Sequence, residues 1–143
     1  MKKIFNLKTT ILASLMIIAG SATTFAQCDK KVTFTASTST YLNDKGAVEK
    51  TKNEETIVTL DNKEVNITTG GRPELAGVVK TYTCNWVNSY KTGKSVISTV
   101  MVDGGSELHA IITIEGKDGK VTLTFEAAEM PGKKIVLIAD KFE

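Results

Sequence analysis

From Gly77 to Ala127 the chain alternates apolar and polar residues in a pattern that only extended backbone satisfies. In one run Leu108, Ala110, Ile112 and Ile114 alternate with His109, Ile111, Thr113 and Glu115. In the next, Val121, Leu123, Phe125 and Ala127 alternate with Lys120, Thr122, Thr124 and Glu126. A period of two sends one set of side chains to a core and the other to water. The stretch reads as four consecutive β-strands, Val78–Ser89, Ser95–Val102, Glu107–Glu115 and Lys120–Ala127, separated by short turns that carry glycine.

Three strands precede this meander: Lys31–Leu42, in which Val32, Phe34 and Ala36 share a face, then Thr56–Leu60 and Glu64–Thr69. Asn43-Asp44-Lys45-Gly46 and Asp61-Asn62-Lys63 supply turns. Glu49–Glu55 is a polar extension or loop. Gly70-Gly71-Arg72-Pro73 is the longest irregular break, with room for one helical turn over Pro73–Ala76. Past Met130-Pro131-Gly132 a last strand covers Lys133–Asp140. The glycines beyond position 26 are expected at boundaries between apolar runs, since glycine inside a strand weakens it. The clearest hairpin is Lys117-Asp118-Gly119-Lys120, because Asp-Gly suits a type I′ turn.

About eight antiparallel strands joined by hairpin-length loops predict an all-β, mostly up-and-down meander. A small barrel is expected, with a two-sheet sandwich as the alternative. An immunoglobulin-type sandwich fits badly, because Trp86 follows the second cysteine instead of standing between the pair.

The first 26 residues do not belong to this domain. Lys2, Lys3 and Lys8, the apolar run Ile11–Gly20 and the small residues ending in Ala26 have the layout of a secretory signal peptide, with cleavage expected after Ala26. Gln27 immediately before Cys28 argues against a lipid anchor, and the apolar run is short for a membrane anchor. The domain is therefore 27–143, periplasmic or secreted, and expected to be a monomer. Of the 18 basic and 16 acidic residues, three lysines and no acids fall in the leader, so the remainder is close to neutral. It lacks the basic, aromatic-laced patch of a nucleic-acid binder. In an oxidising compartment Cys28 and Cys84 are expected to form a disulfide. Closing that loop is worth about 4 kcal/mol in the chain-entropy picture.

The run of short strands, with NDKG early and DGG and KDGK late, resembles lipocalin-like and fatty-acid-binding-like small barrels over most of residues 27–143. The resemblance implies a β-barrel with an interior able to hold a small apolar ligand. It transfers no binding residue: the Gly-x-Trp of lipocalins is missing, and Arg72 is the only arginine. The chain also resembles small exported proteins of Gram-negative bacteria, a likeness that implies no activity.

Nothing in the sequence proposes catalysis. His109 is the only histidine, which excludes an HExxH helix and every site needing two imidazoles. No GxSxG elbow presents a serine. By alternation His109 faces water. Glu126 with Glu129, and Glu54 with Glu55, are carboxylate pairs on charged faces. Asp61, Asp103 and Asp118 suit turns, and no calcium loop is matched. No catalytic residue, metal site or cofactor is expected.

Aromatic side chains give the remaining signal. Tyr82, Cys84 and Trp86 share a parity, and with Phe34, Leu123 and Phe125 they point inward if the sheet curls. They either fill the core around the disulfide or line a ligand site with the Tyr and Trp polar tips free. A chain this short leaves little spare volume in a small barrel. The leading expectation is an exported, non-enzymatic module binding a small apolar molecule, with Phe34, Tyr82, Trp86, Leu123 and Phe125 as lining candidates. The alternative is a protein-interaction or inhibitor module using a sheet edge or the 70–76 loop.

Overall fold

The computed structural model describes residues 27–143, so the signal peptide expected over 1–26 lies outside the described residues. These residues are all β and contain no helix. The strands are β1 (Val32–Ala36), β2 (Ser39–Leu42), β3 (Val48–Lys52), β4 (Thr56–Leu60), β5 (Glu64–Thr69) and β6 (Arg72–Asn88). They are followed by β7 (Thr92–Asp103), β8 (Ser106–Lys117), β9 (Lys120–Ala127), β10 (Lys134–Ile138) and β11 (Lys141–Phe142). All eleven belong to one antiparallel sheet whose hydrogen-bonded order is β11-β1-β4-β5-β6-β7-β8-β9-β10-β2-β3. From β4 to β10 this is a plain meander, as the hairpin-length loops predict.

The ladder is not closed, yet the sheet must curl strongly. β1 and β2 lie near its opposite ends and are joined only by Ser37 and Thr38. Laid flat, eight strand spacings would separate them by about 38 Å. The link from Ala36 to Ser39 spans at most about 11 Å. β10 and β11 repeat the arrangement: the Ala139 and Asp140 N–H groups donate to Val121 O at 2.9 Å and to Thr35 O at 2.8 Å. The single strand expected over Lys31–Leu42 is therefore broken by a two-residue bend, and the one expected over Lys133–Asp140 ends in such a bend, where the chain passes from one end of the sheet to the other. These bends account for two of the three strands beyond the eight expected, and β3 is the third. β3, which overlaps the polar stretch Glu49–Glu55 expected to be an extension or loop, pairs with β2 and forms a free edge.

Alternation sorts the faces as expected. Val32, Phe34 and Ala36 of β1, Ala110, Ile112 and Ile114 of β8, and Val121, Leu123, Phe125 and Ala127 of β9 are all buried. Val58, Leu60, Val65, Ile67, Trp86, Ile97, Met101 and Leu137 complete the buried apolar set. The turns also follow their residue types. Asp118 and Gly119 have φ of 53° and 76°, the pair of positive values that a type I′ turn requires.

Two expectations are corrected. The 70–76 stretch is neither an irregular break nor a helical turn. Gly70 and Gly71, with φ of 57° and 74°, make a tight turn, and β6 starts at Arg72. Pro73 is accommodated there because the β5–β6 pairing shifts register between Ile67 and Thr68, and a bulge is one of the few sheet positions open to proline. Nor do all glycines mark boundaries, since Gly77, Gly93 and Gly116 lie within β6, β7 and β8. Each gives room to a neighbour. A Cβ on Gly77 would meet Met101 Cγ at 2.7 Å, and one on Gly116 would meet Trp86 Cζ3 at 2.8 Å. One on Gly93 would overlap the Trp86 backbone and ring.

Candidate functional site

The long strand β6 carries Leu75 near one end of the curled sheet and Trp86 near the other, and the interior differs between the two ends. At the Trp86 end it is filled. Trp86 pairs across to Gly93, and Gly93 to Gly116, so the indole lies over two residues without side chains. Phe142 closes this end, its ring centroid 5.4 Å from Trp86, 5.4 Å from Tyr90 and 6.1 Å from Phe34. The Cys28–Cys84 disulfide forms as expected, with its Cα atoms 5.8 Å apart. Trp86 Nε1 donates to Ser95 Oγ at 2.8 Å, and Ser95 Oγ lies 3.6 Å from Cys84 Sγ. Tyr90 has a φ of 61°, costly for a bulky residue. It is held there by its packing on Phe142 and by its N–H, which donates to the buried Gln27 side chain. Burial pushes the Tyr82 phenol above its ordinary value, with a hydrogen bond involving Ser95 acting against it.

At the Leu75 end a cavity of about 80 Å³ remains. Its apolar wall is Val58 of β4, Ile67 of β5, Leu75 of β6, Leu123 and Phe125 of β9, and Ile135 and Leu137 of β10. Cross-strand pairing explains the grouping, because Ile135 stands opposite Phe125 and Leu137 opposite Leu123. The Ser39 and Thr56 hydroxyls on the wall lie 3.3 Å apart and share one hydrogen bond. Tyr41, Lys52, Glu54, Thr69 and Glu74 form the polar part of the lining. Thr69 Oγ1 donates to the Glu74 carboxylate. Glu54 sits over Gly70, where any Cβ would overlap its carboxylate.

The five lining candidates thus fall into two groups. Leu123 and Phe125 line the cavity, whereas Phe34, Tyr82 and Trp86 do not. Phe34 and Trp86 are 0% and 1% exposed and belong to the plug. The expectation of a free Trp polar tip is corrected: the indole N–H is committed to Ser95. Ile135 and Leu137 were within reach of alternation, since they occupy one parity of KKIVLIAD. Phe142 lay past the expected end of the last strand. Glu54 and Glu74 carried no signal, because only the curling of the sheet brings residues 54 and 74 to one rim.

His109 lies outside this cavity, on the outer face. Its Nδ1 is 2.8 Å from Glu129 Oε1, and its backbone N–H donates to the same carboxylate. Those hydrogen bonds hold the Glu129 carboxyl below its ordinary value. Glu126, the other member of that carboxylate pair, lies 3.1 Å from Lys134 Nζ. Among the described residues no group of three or more His, Cys, Asp or Glu side chains is placed to hold a metal ion. Comparison with known proteins gives no match: no family model, no curated protein and no solved structure is similar to the chain.

Proposed function

We propose that this domain is a non-enzymatic binding module that holds a small apolar molecule, or the apolar part of a larger one, in the cavity at the Leu75 end. The observation that carries the proposal is an unfilled space of about 80 Å³ walled by seven apolar side chains, where interiors are otherwise close-packed. Its apolar wall suits apolar guests, as an engineered cavity of about 150 Å³ lined by apolar side chains accepts benzene. The smaller volume here suits a group of a few carbon atoms. The hydrogen bond between Ser39 and Thr56 lowers the demand of the wall's two hydroxyls for water. The single imidazole is engaged by Glu129 on the outer face, away from the cavity. Export is proposed with this role, and the disulfide suits an oxidising compartment.

A second reading, a partner surface, draws on Val78, Val102 and Ile111, which are 59%, 55% and 48% exposed on the outer face. The free edge supports it less. β3 carries Lys50 and Lys52, and lysine on an edge strand discourages strand addition.

Methyl-detected NMR during titration with 3-methyl-1-butanol or toluene tests the first reading. Leu123, Leu137 and Ile135 methyls should shift at millimolar ligand while the Trp86 indole N–H stays in place. Leu137→Phe, which fills the space, should abolish the response. Absence of methyl shifts in the folded wild type would overturn the proposal.

A further inference from the structure

Resting on that reading, we infer that the cavity's guest carries a protonated primary amine on its short apolar group. The argument is the charge at the mouth. Three ionisable side chains with opposed charges line it: Glu54, Glu74 and Lys52. Among the described residues neither carboxylate has a cationic partner within 4.0 Å, although six other ion pairs do form.

The two carboxylates are also the positioned groups. Glu54 is half-buried and rests where Gly70 leaves room for it. Glu74 is steadied by the Thr69 hydroxyl. Lys52 is exposed on the edge strand, its ammonium 5.6 Å from the centroid of the Tyr41 ring, which it shares with Lys50 at 4.6 Å. A lysine engaged with an aromatic face and open to water has less to gain from a guest anion than two carboxylates without a cationic partner have from a guest cation.

An ammonium group has three donors and no acceptor, which matches a rim of carboxylate oxygens. Its apolar portion is limited by the 80 Å³ space to about the size of one aliphatic side chain. A free alkylamine has this chemistry, and so does the N-terminal residue of a peptide that begins with leucine or valine.

Four ligands separate the possibilities on the disulfide-intact protein by methyl NMR titration at low salt. They are 3-methylbutylamine, its alcohol 3-methyl-1-butanol, the carboxylate 3-methylbutanoate, and the peptide Leu-Gly-Gly-amide with its N-acetylated form as control. The amine should bind at least about tenfold tighter than the alcohol, the size of a charge-assisted hydrogen bond, and the carboxylate weakest. Glu54→Gln with Glu74→Gln should remove the amine's advantage over the alcohol.

If Leu-Gly-Gly-amide binds tighter than the simple amine and acetylation removes that binding, the source is a peptide N-terminus. The reverse order identifies a free amine, and either order supports the inference. A carboxylate that binds as well as the amine would overturn it while leaving the apolar cavity reading standing. So would an amine affinity untouched by the double substitution. Failure of all four ligands to move any cavity methyl would overturn the cavity reading itself.

Discussion

The Trp86 end and the Leu75 end of the curled sheet are built by the same alternation, and they differ in what the inward positions carry. At the first, a tryptophan lies over Gly93 and Gly116, and three other aromatic rings, a disulfide and a buried glutamine close round it. At the second, aliphatic residues and Phe125 meet around unfilled space, and the polar lining includes two carboxylates and a lysine. The contrast teaches that inward-facing aromatics need not mark a ligand site. Large rings fill a small interior, and space is left where side chains of moderate size face one another across a strongly curved sheet.

The largest effect should come from removing the plug. Trp86→Ala is expected to cost about 3–5 kcal/mol, the range for a large buried aromatic, because it takes the ring from Phe142, Gly93 and Gly116 together. Urea denaturation measures it, and a cost under about 1 kcal/mol would erase the distinction between the ends. Loss of the disulfide in Cys28→Ser with Cys84→Ser should come next, at about 4 kcal/mol for a loop with a sequence separation of 56.

Size substitutions sharpen the contrast further. Leu137→Phe adds volume beside the cavity and should change stability by less than about 0.5 kcal/mol. Ile114→Phe, beside Ser95 where the interior is full, should cost about 1–3 kcal/mol through overpacking. Equal costs in thermal melts would mean that both ends are equally packed.

A further small effect lies at a turn remote from either interior feature. The Asp61 carboxylate accepts N–H bonds from Lys63 at 2.8 Å and Glu64 at 3.0 Å, which hold its carboxyl below the ordinary value of 3.8. A folded-state value below the unfolded one adds stability above the unfolded value, and that contribution is lost as pH falls through the folded value. Asp61→Ala should therefore cost at most about 1 kcal/mol at pH 7. The gap to wild type should close as melts are taken from pH 5 towards pH 2. A gap that persists or widens there would show that the carboxylate's charge is not what matters.

Much of this fold was legible because its information is local. The inward sets of β1, β8 and β9 follow from parity, the Asp118-Gly119 turn follows from its residue types, and the Cys28–Cys84 pairing follows from there being two cysteines. The non-local features were not legible. Gly93 and Gly116 read as turn residues because their purpose, room for Trp86, lies on a neighbouring strand. The bends at Ser37-Thr38 and Ala139-Asp140 depend on where the sheet's two ends meet, which no period within one strand reports. The rim carboxylates depend on the same curvature. Glu54 sits in the connection after β3 and Glu74 near the start of β6, and both line the cavity only because the sheet is rolled.

Crystals of the oxidised protein pressurised with xenon test the difference between the two ends most directly, since the probe is apolar, uncharged and small enough for the space beside Leu123 and Leu137. The account predicts one xenon site, bounded by Val58, Leu75, Leu123, Phe125 and Leu137, and none in the shell of Trp86, Phe34 and Phe142. Xenon beside Trp86, or no xenon beside Leu123 while the protein remains folded, would contradict it.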